Sequence, residues 1–509
     1  MEFPIVSLIE QRKRLKEVKE QLPSDEIDNL IAETKKLQEL QLTPDSPEAL
    51  AKLPSLEIQD VPKEIEKYPL EIKSQGDSKI LFHELFTNGI AYTQIGFNTE
   101  SVPAEMIPYI PLLGTLMLGM GTNKHSYTEI SKLIGMHTGG IRNSHFSSAT
   151  VHDRHQVISY ISFSGKALME KVDNLFDVFD ELLGEYSFDD HKRLIEIIRS
   201  AKSDMEDSIV PHGNHYVLAR LQSYQSRLGK FDEITDGITY YQFLEQLLER
   251  VEKNPEEVAG QFRQVAERVF TRKNALFNVT SDQKDYRKIE KRIVTTIGIL
   301  SDKEWKVEEW NLTAVPLNEG FLTASNVQHV GKGANLYDLG FKHSGQFEVL
   351  KALLRTGFLW DKVRVHGGAY GSGNSFDYFT GDYSLLSYRD PNLVETLGVY
   401  DEIADFLNHL DLSSEELTKI IIGCVGKMDP PLTPDLKGKA SMIDHLTGRT
   451  HEMKQKLREE LLSTRLEDLK GYAPLFEKIK NKGHVCALGN EDKLKKSKSV
   501  FGQLVKVFH

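Results

Sequence analysis

The sequence predicts an α+β protein in which two similar domains follow an N-terminal helical hairpin. Two charged helical segments precede the first strand pattern, strand-like alternation then occurs in two separate regions, and amphipathic helices fill the intervals. A chain of 509 residues also exceeds the size of one ordinary domain. We therefore predict a helical hairpin linker at residues 1–60, a first α+β domain at 61–300 and a second at 301–509.

The opening hairpin is predicted from apolar stripes at helical spacing. Pro23 stops the first helix, and Ser24, Asp25 and Glu26 supply a cap and an acidic first turn for the second. We expect both stripes to face a core. They include Leu15, Val18, Leu30, Ile31, Leu37 and Leu40.

The first α+β region begins with strands and continues into long helices. Strands are predicted at residues 80–85 and 90–97, joined by a turn at Thr87-Asn88-Gly89, and again at 156–164 and 275–280. Helices are predicted at residues 106–120 and 127–134, and through most of 167–270. A Gly139-Gly140 pair separates the early helices from the next strand.

A similar order of elements returns downstream. We predict a strand at residues 322–329, a helix at 345–356, a glycine-rich turn at 367–373, a strand at 383–388 and a helix at 394–410. Two copies of this order indicate an internal duplication of roughly 200 residues, which is too long a repeat for a solenoid.

Composition excludes several classes of protein. The formal net charge of −12 argues against a nucleic-acid partner, because phosphate binding requires a basic surface. No apolar run approaches the ~20 residues of a membrane span, and the N-terminus has no signal-peptide pattern. The only two cysteines, Cys424 and Cys486, favour a reducing compartment over a disulfide framework.

Histidine motifs in the chain fall short of a metal site. His83 and Glu84 begin an H-E-x-x-H pattern, but Thr87 stands at the second ligand position and the segment is strand-like. Two further pairs have helical spacing, but no third ligand is evident, so we expect structural or surface roles for them. They are His152 with His155, and His212 with His215. The inverted H-x-x-E-H motif does not occur in the sequence.

One glycine-rich segment, RVHGGAYG at residues 364–371, places Arg364 and Tyr370 around a Gly-Gly turn. Its spacing matches neither dinucleotide-binding nor phosphate-loop motifs. Glycines allow close approach of a ligand to the backbone, and both side chains are able to donate hydrogen bonds to a developing oxyanion. From the residues alone, an ordinary tight turn is the more common explanation of such a segment.

Several long segments resemble a known family. YPLEIKSQGDSKILFHELFTNGIAYTQIGFN, IPLLGTLMLGMGTNKHSYTEISKLIGMHTGGI and LWDKVRVHGGAYGSG are similar to the C-terminal half of the presequence-protease branch of the pitrilysin/insulinase metallopeptidases, which includes falcilysin. The opening hairpin resembles the linker between the two halves of that family. The resemblance extends from about residue 11 to the C-terminus.

This resemblance implies a fold and a mechanism. The family has four homologous α+β domains, with helices packed on mixed or antiparallel sheets, in two halves that close around a peptide-holding chamber. The N-terminal half binds zinc through H-x-x-E-H, whose glutamate activates the attacking water. The present chain would then hold the third and fourth domains and no zinc. Arg364 and Tyr370 match the R-x-x-G-G-A-Y segment that completes the active site and stabilises the transition state in trans.

The implied partners are an N-terminal H-x-x-E-H-bearing half and oligopeptide substrates, and the acidic net charge suits basic peptides. The chain would be a piece of a longer enzyme or a natural subunit, inactive alone. An alternative is a non-catalytic peptide-binding or scaffold subunit, although intact Arg364 and Tyr370 count against it. We expect a cytoplasmic location in a bacterium, or an organellar matrix in a eukaryote.

Overall fold

The computed structural model describes residues 8–43, 46–50, 52, 56–313, 315 and 317–508. The chain divides into two compact units, Met1–Glu57 and Ile58–His509. The described part of the first unit is helical, and all described strands belong to the second. The predicted domain boundaries within the second unit remain predictions of the sequence.

The described helices of the first unit are α1 (Leu8–Gln21), α2 (Ser24–Leu42) and α3 (Pro47–Leu50). Pro23 separates α1 from α2, and Asp25 and Glu26 stand in the first turn of α2, where the helix dipole favours negative charge. Leu15 is 68% exposed and Leu30 is 59% exposed. The prediction that the stripes face a core is therefore wrong, because so small and charged a helical unit has little apolar surface with which to cover them.

In the described chain, the first sheet of the second unit has six strands: β1 (Glu71–Gln75), β2 (Ser78–Glu84), β3 (Ile90–Asn98), β4 (Ile141–Ser148), β5 (Ile158–Leu168) and β6 (Ala275–Ser281). Their order is β1-β2-β6-β3-β5-β4. β6 pairs in parallel with β2 and antiparallel with β3, so it separates two strands that are adjacent in sequence. The predicted turn joins β2 to β3 through Asn88 and Gly89, both in the left-handed region.

The second sheet of the described chain also has six strands: β7 (Glu319–Thr323), β8 (His329–Asn335), β9 (Gly371–Phe376), β10 (Asp382–Tyr388), β11 (His484–Asn490) and β12 (Gln503–Lys506). Five of them repeat the connectivity of the first sheet, whereas the edge strand β12 is parallel to its neighbour and β1 is antiparallel to its own. Their order is β12-β7-β11-β8-β10-β9. β11 takes the place of β6, parallel to β7 and antiparallel to β8. The shared connectivity confirms the predicted pair of homologous α+β domains, each with a mixed sheet.

The described helices of the second unit are α4 (Ile110–Gly119), α5 (Tyr127–His137), α6 (Val172–Gly184), α7 (His191–Ile209), α8 (Gly213–Ser223), α9 (Arg227–Asp236), α10 (Ile238–Lys253), α11 (Pro255–Val269), α12 (Gln283–Ile299), α13 (Gly345–Thr356), α14 (Val394–Asp401), α15 (Ile403–Asn408), α16 (Ser414–Met428), α17 (Pro434–Thr447), α18 (His451–Leu462), α19 (Leu466–Lys470), α20 (Ala473–Lys482) and α21 (Glu491–Lys496). Short 3₁₀ helices occur at Ile58–Asp60, Ala104–Tyr109, Met169–Lys171, Arg272–Asn274 and Lys498–Val500, and a π-helix at Trp360–His366. None of the helices in the described chain is long and apolar enough to cross a bilayer.

Three predicted elements differ from the structure. The predicted strand at 322–329 is two strands, β7 and β8, because β11 inserts between them in the sheet. The predicted helix at 394–410 is interrupted at Glu402, between α14 and α15. The glycine-rich turn ends earlier than predicted, since Gly371 already begins β9 and pairs with Tyr388.

The first sheet has one apolar and one polar face. Ile95, Phe163 and Phe277 are buried in a core shared with helical residues of α6 and α11. On β3, side chains alternate between the two faces, so Gln94 lies on the face opposite Ile95. Part of this opposite face is covered by α17, which packs on β6 and β2.

A buried charge cluster joins the helices of the first α+β region to the second sheet. Arg220 on α8 donates from Nε to Glu319 Oε2 at 2.6 Å and from Nη2 to Oε1 at 3.1 Å. Its Nη1 also donates to Glu233 on α9 at 3.2 Å. Neither carboxylate is exposed to solvent. Burial opposes charge on Glu319, but hydrogen bonds from Arg220 and Tyr224 outweigh it and lower the Glu319 pKa.

A second buried carboxyl group links the same parts of the chain. Ser226, the N-cap of α9, donates to Asp382 Oδ2 on β10 at 2.5 Å. Asn335 Nδ2 donates to Asp382 Oδ1 at 2.9 Å. Burial raises the pKa of Asp382 to about 7, although both hydrogen bonds favour the charged form.

Removing the arginine of the cluster should destabilise the fold strongly. We expect Arg220→Met to lower the free energy of unfolding by about 3–5 kcal/mol, because it leaves two buried carboxylates without their cation. Urea denaturation measures the change. Arg199→Met is the control: Arg199 pairs with Glu252 at the surface at 2.7 Å, and its loss should cost less than about 1 kcal/mol. Equal losses of unfolding free energy in the two variants would contradict a stabilising role for the Arg220 cluster.

Asp382 should make stability fall with rising pH. An unfolded aspartate titrates near 3.9, so between about pH 4 and 7 the folded chain retains a proton that the unfolded chain has lost. Asp382→Asn should therefore make the unfolding free energy decline less steeply across this window. Part of the decline should remain, because burial also raises the pKa of Asp232 to about 7. Denaturation at several pH values tests this. Asp338→Asn, at an exposed ion pair with Arg154, is the control; unchanged slopes in both variants would refute the prediction.

Candidate functional site

The candidate site lies where the chain passes from α13 into the edge strand β9. Residues Trp360–His366 form a π-helix, in which Gly367 N donates to Lys362 O at 3.0 Å. This five-residue hydrogen bond widens the turn relative to an α-helix, and such segments are frequent at functional sites. Val363 and Ala369 are buried in the apolar core that includes Val330 and Leu385 of the second sheet, and they anchor the segment from within.

The Gly-Gly turn is held from both sides. Gly368 has a φ of +79°, in the left-handed region that glycine adopts without steric cost. Asn392 Nδ2 donates to Gly367 O at 2.6 Å, and Tyr370 N donates to Arg389 O at 3.3 Å. The segment after β10 thus fixes the turn, and the turn determines where Tyr370 projects.

The structure brings Arg364 and Tyr370 together. The guanidinium carbon of Arg364 lies 5.9 Å from the centre of the Tyr370 ring and 3.9 Å from the centre of the Trp360 ring. The Tyr370 ring packs edge-on against Tyr388 at 5.8 Å between centroids. The two residues that the sequence analysis singled out therefore lie side by side. Arg364 is four residues and Tyr370 ten residues after Trp360.

Both donors are free in this arrangement. Within the described residues, neither the guanidinium of Arg364 nor the hydroxyl of Tyr370 makes a hydrogen bond or ion pair, and Tyr370 is 66% exposed. Two apolar side chains of the same segment, Trp360 and Val365, are also more than two-fifths accessible. The site thus offers one cationic and one neutral donor, beside apolar surface, to an oxygen that carries negative charge.

Sequence reasoning missed Trp360. A cation over a tryptophan face is attracted by the ring quadrupole, so Trp360 holds the long Arg364 side chain in one place. The four-residue spacing between the two was the available signal, because residues four apart share a helix face. His366 lies within the same segment, but its Nδ1 is 2.7 Å from Asp361 O, which is a local backbone contact.

The histidine of the incomplete H-E-x-x-H pattern is structural. His83 is fully buried on β2, with Nδ1 2.8 Å from Pro69 O and Nε2 2.7 Å from Asn278 Oδ1. Burial lowers its pKa, so the neutral ring is favoured. Thr87 donates from Oγ1 to Asp282 at 3.1 Å.

The two histidine pairs also fail to converge on a metal. His152 and His155 lie in an irregular loop, so their i+3 spacing does not place them on one helix face. His212 stands at the N-cap position of α8 without a capping hydrogen bond from its side chain. His215 Nε2 is 2.9 Å from Asp236 Oδ2, and this hydrogen bond raises the pKa of His215. Among the residues that the structure describes, no group of three or more His, Cys, Asp or Glu side chains is arranged to hold a metal ion.

Two domain families match the sequence. The family associated with peptidase M16, subfamily C, matches residues 8–247, and the "PreP C-terminal domain" matches residues 318–491. The chain is 33% identical to Protein HypA of Clostridium perfringens over 498 residues, covering 98% of this chain and 51% of that protein. It is 34% identical to Presequence protease 1, chloroplastic/mitochondrial, of Arabidopsis thaliana, covering 95% of this chain and 45% of that protein. The chain thus spans about half the length of these relatives.

Solved structures support the fold. A peptidase M16 inactive domain from Pseudomonas fluorescens superposes with a TM-score of 0.59 at 14% identity, covering 83% of this chain and 98% of that one. A protease from Helicobacter pylori gives a TM-score of 0.56, also at 14% identity, covering 83% of this chain and 100% of that one. At this identity the similarity establishes the fold alone.

The left-handed glycine should be required for the Gly-Gly turn. We expect Gly368→Ala to lower the free energy of unfolding by about 1–2 kcal/mol, because a Cβ is disfavoured at its φ of +79°. Gly371→Ala is the control: its φ is not left-handed, and a Cβ there would meet Tyr388 at an ordinary 3.6 Å. Chemical denaturation of both variants tests this, and equal stability of the two would show that the turn tolerates a side chain.

Proposed function

We propose that the chain is the C-terminal half of a presequence-protease-like member of the pitrilysin family of metallopeptidases. In this role it completes the active site of a zinc metalloendopeptidase that degrades oligopeptides in a closed chamber. The convergence of Arg364 and Tyr370 on one exposed turn carries this proposal. The coverage of about half of each curated relative supports it.

In the proposed reaction, Arg364 and Tyr370 act on the oxygen of the scissile carbonyl. That oxygen gains negative charge as the carbonyl becomes tetrahedral, and donors already aimed at it lower the barrier without reorganising. Trp360 fixes the guanidinium, and the left-handed Gly368 brings backbone and Tyr370 close to the substrate. Because neither donor makes a hydrogen bond or ion pair with another described residue, the substrate oxygen need not displace a hydrogen-bonding partner from that part of the chain.

Zinc would be supplied by the other half of the enzyme. The H-x-x-E-H motif does not occur in this sequence, and the described residues assemble no set of metal ligands. We therefore propose that a zinc-bearing half, on the same polypeptide or as a separate subunit, is the partner. The cytoplasm of a bacterium or the matrix of an organelle is the proposed location.

Tyr370 and Arg364 should affect the chemical step more than binding. In the chain combined with a matching zinc-bearing half, we expect Tyr370→Phe and Arg364→Met each to lower kcat about 10²-fold or more, with a smaller change in KM. Steady-state hydrolysis of a fluorogenic peptide measures both constants. Tyr127→Phe is the matched control, because Tyr127 is also an exposed tyrosine beneath an arginine, Arg193, at 4.2 Å.

The same assay tests whether hydrolysis requires both halves of the enzyme. Hydrolysis by the mixture and not by this chain alone is the expected result. Hydrolysis by the chain alone would contradict the proposal. A stable complex of the two halves without hydrolysis would favour a peptide-binding or scaffold subunit. An unchanged kcat in Tyr370→Phe would remove the oxyanion role.

A further inference from the structure

A polar cavity of about 300 Å³ lies on the first sheet, on the face that α17 partly covers. Gly438 allows α17 to lie close to β6, since a Cβ there would come within 2.1 Å of Thr280 Oγ1. The N-terminal turn of α17 lines the cavity, together with residues of β3, β4, β5 and β6. The cavity is therefore formed by the packing of α17 on the first sheet.

The cavity contains buried hydrogen-bonding capacity that the protein does not use. Gln94 lines it at 8% exposure, yet its amide makes no hydrogen bond to any other described residue. Tyr92 and Ser164 also line it, and in the described chain their hydroxyl groups have no protein partner either. The Gln94 amide therefore faces the cavity with its donor and acceptor available to a bound group.

Positive charge surrounds the cavity. Arg142, Lys166 and Lys439 line it, and none of the three makes an ion pair within the described residues. Asp435 is the acidic residue of the lining, and it accepts a hydrogen bond from Thr433 at 2.6 Å. The local balance is thus positive in a chain whose net charge is −12.

A glycine gives Lys166 its position. Gly139 N donates to Lys166 O at 2.7 Å, and a Cβ on Gly139 would meet Lys166 Cγ at 2.8 Å. The aliphatic stem of Lys166 therefore lies against the Gly139-Gly140 turn. This turn precedes the edge strand β4 as Gly367-Gly368 precedes the edge strand β9.

We propose that this cavity binds a carboxylate group of a peptide, with Arg142, Lys166 and Lys439 attracting the anion and Gln94 bonding to an adjacent peptide group. Two sources supply this chemistry, a C-terminal carboxylate and an acidic side chain. The proposal rests on the proposed function only in taking a peptide as the ligand. A metal ion would not suit three cations, and the uncharged amide and hydroxyl lining fits a peptide group next to the carboxylate.

The test is fluorescence anisotropy with the 509-residue chain and three labelled decapeptides of otherwise neutral side chains. One has a free C-terminal carboxylate, one a C-terminal amide, and one a C-terminal amide with an internal glutamate. We expect at least one carboxylate peptide to bind about tenfold or more tightly than the neutral amide, with affinity falling as salt rises. Lys166→Gln combined with Lys439→Gln should abolish that preference, and Gln94→Leu should weaken binding of every peptide.

Lys253→Gln combined with Lys291→Gln is the control, because it removes the same charge from exposed positions outside the cavity. Thermal melts check that all variants fold. Preference for the C-terminal carboxylate or for the glutamate would support the proposal and identify the source. Equal binding of the neutral amide, or equal loss in the control variant, would overturn it.

The peptide-binding test of the cavity and the hydrolysis test of the proposed function give independent results. Binding is measured without hydrolysis and without the zinc-bearing half, so carboxylate-dependent binding stands even where no mixture cleaves peptides. Conversely, hydrolysis that depends on Tyr370 while the cavity shows no carboxylate preference would retain the proposed function and reject the cavity.

Discussion

The buried pairing of Arg220 with Glu319 and Glu233 is the constraint on which the arrangement of the second unit depends. One guanidinium from α8 satisfies a carboxylate on α9 and another on β7, so helices of the first α+β region are fixed against the second sheet. Two buried carboxylates that share one guanidinium are costly unless their geometry is kept, and a displaced sheet would leave at least one without its partner. Ser226 and Asp382 add a second link between the same layers. Together these links fix α8 and α9 against the second sheet.

Duplication gives each sheet the same edge. In both copies a helical segment ends, a Gly-Gly pair turns the chain, and an edge strand follows. In the second copy this turn presents Tyr370 and orients it beside Arg364, whereas in the first copy it supports Lys166. The fold thus contains the same Gly-Gly turn before an edge strand twice, and the side chains around each turn determine its chemistry.

Local patterns in the sequence predicted most single elements but not their partners. The alternation of IAYTQIGF identifies β3, and helical periodicity places α13, because both signals lie within a few residues. The insertion of β6 and β11 between strands adjacent in sequence depends on pairing across more than 150 residues, which no local pattern encodes. At the candidate site, resemblance identified Arg364 and Tyr370. Trp360 was missed although its four-residue spacing from Arg364 was visible, because the glycine-rich turn was read without the π-helix that precedes it.

Net charge and the local charge at the two candidate sites have opposite signs. A total of −12 suggested basic peptides, yet Arg364 and the three cations around the cavity on the first sheet are positive and make no ion pair within the described chain. Electrostatic interactions are screened over about 8–10 Å at ordinary ionic strength, so a bound peptide responds to the few charges nearest to it. Acidic residues distributed over the remaining surface contribute to solubility and long-range repulsion instead. The sign of a ligand's charge must therefore be inferred from the lining of each site, where these unpaired cations favour an anionic group.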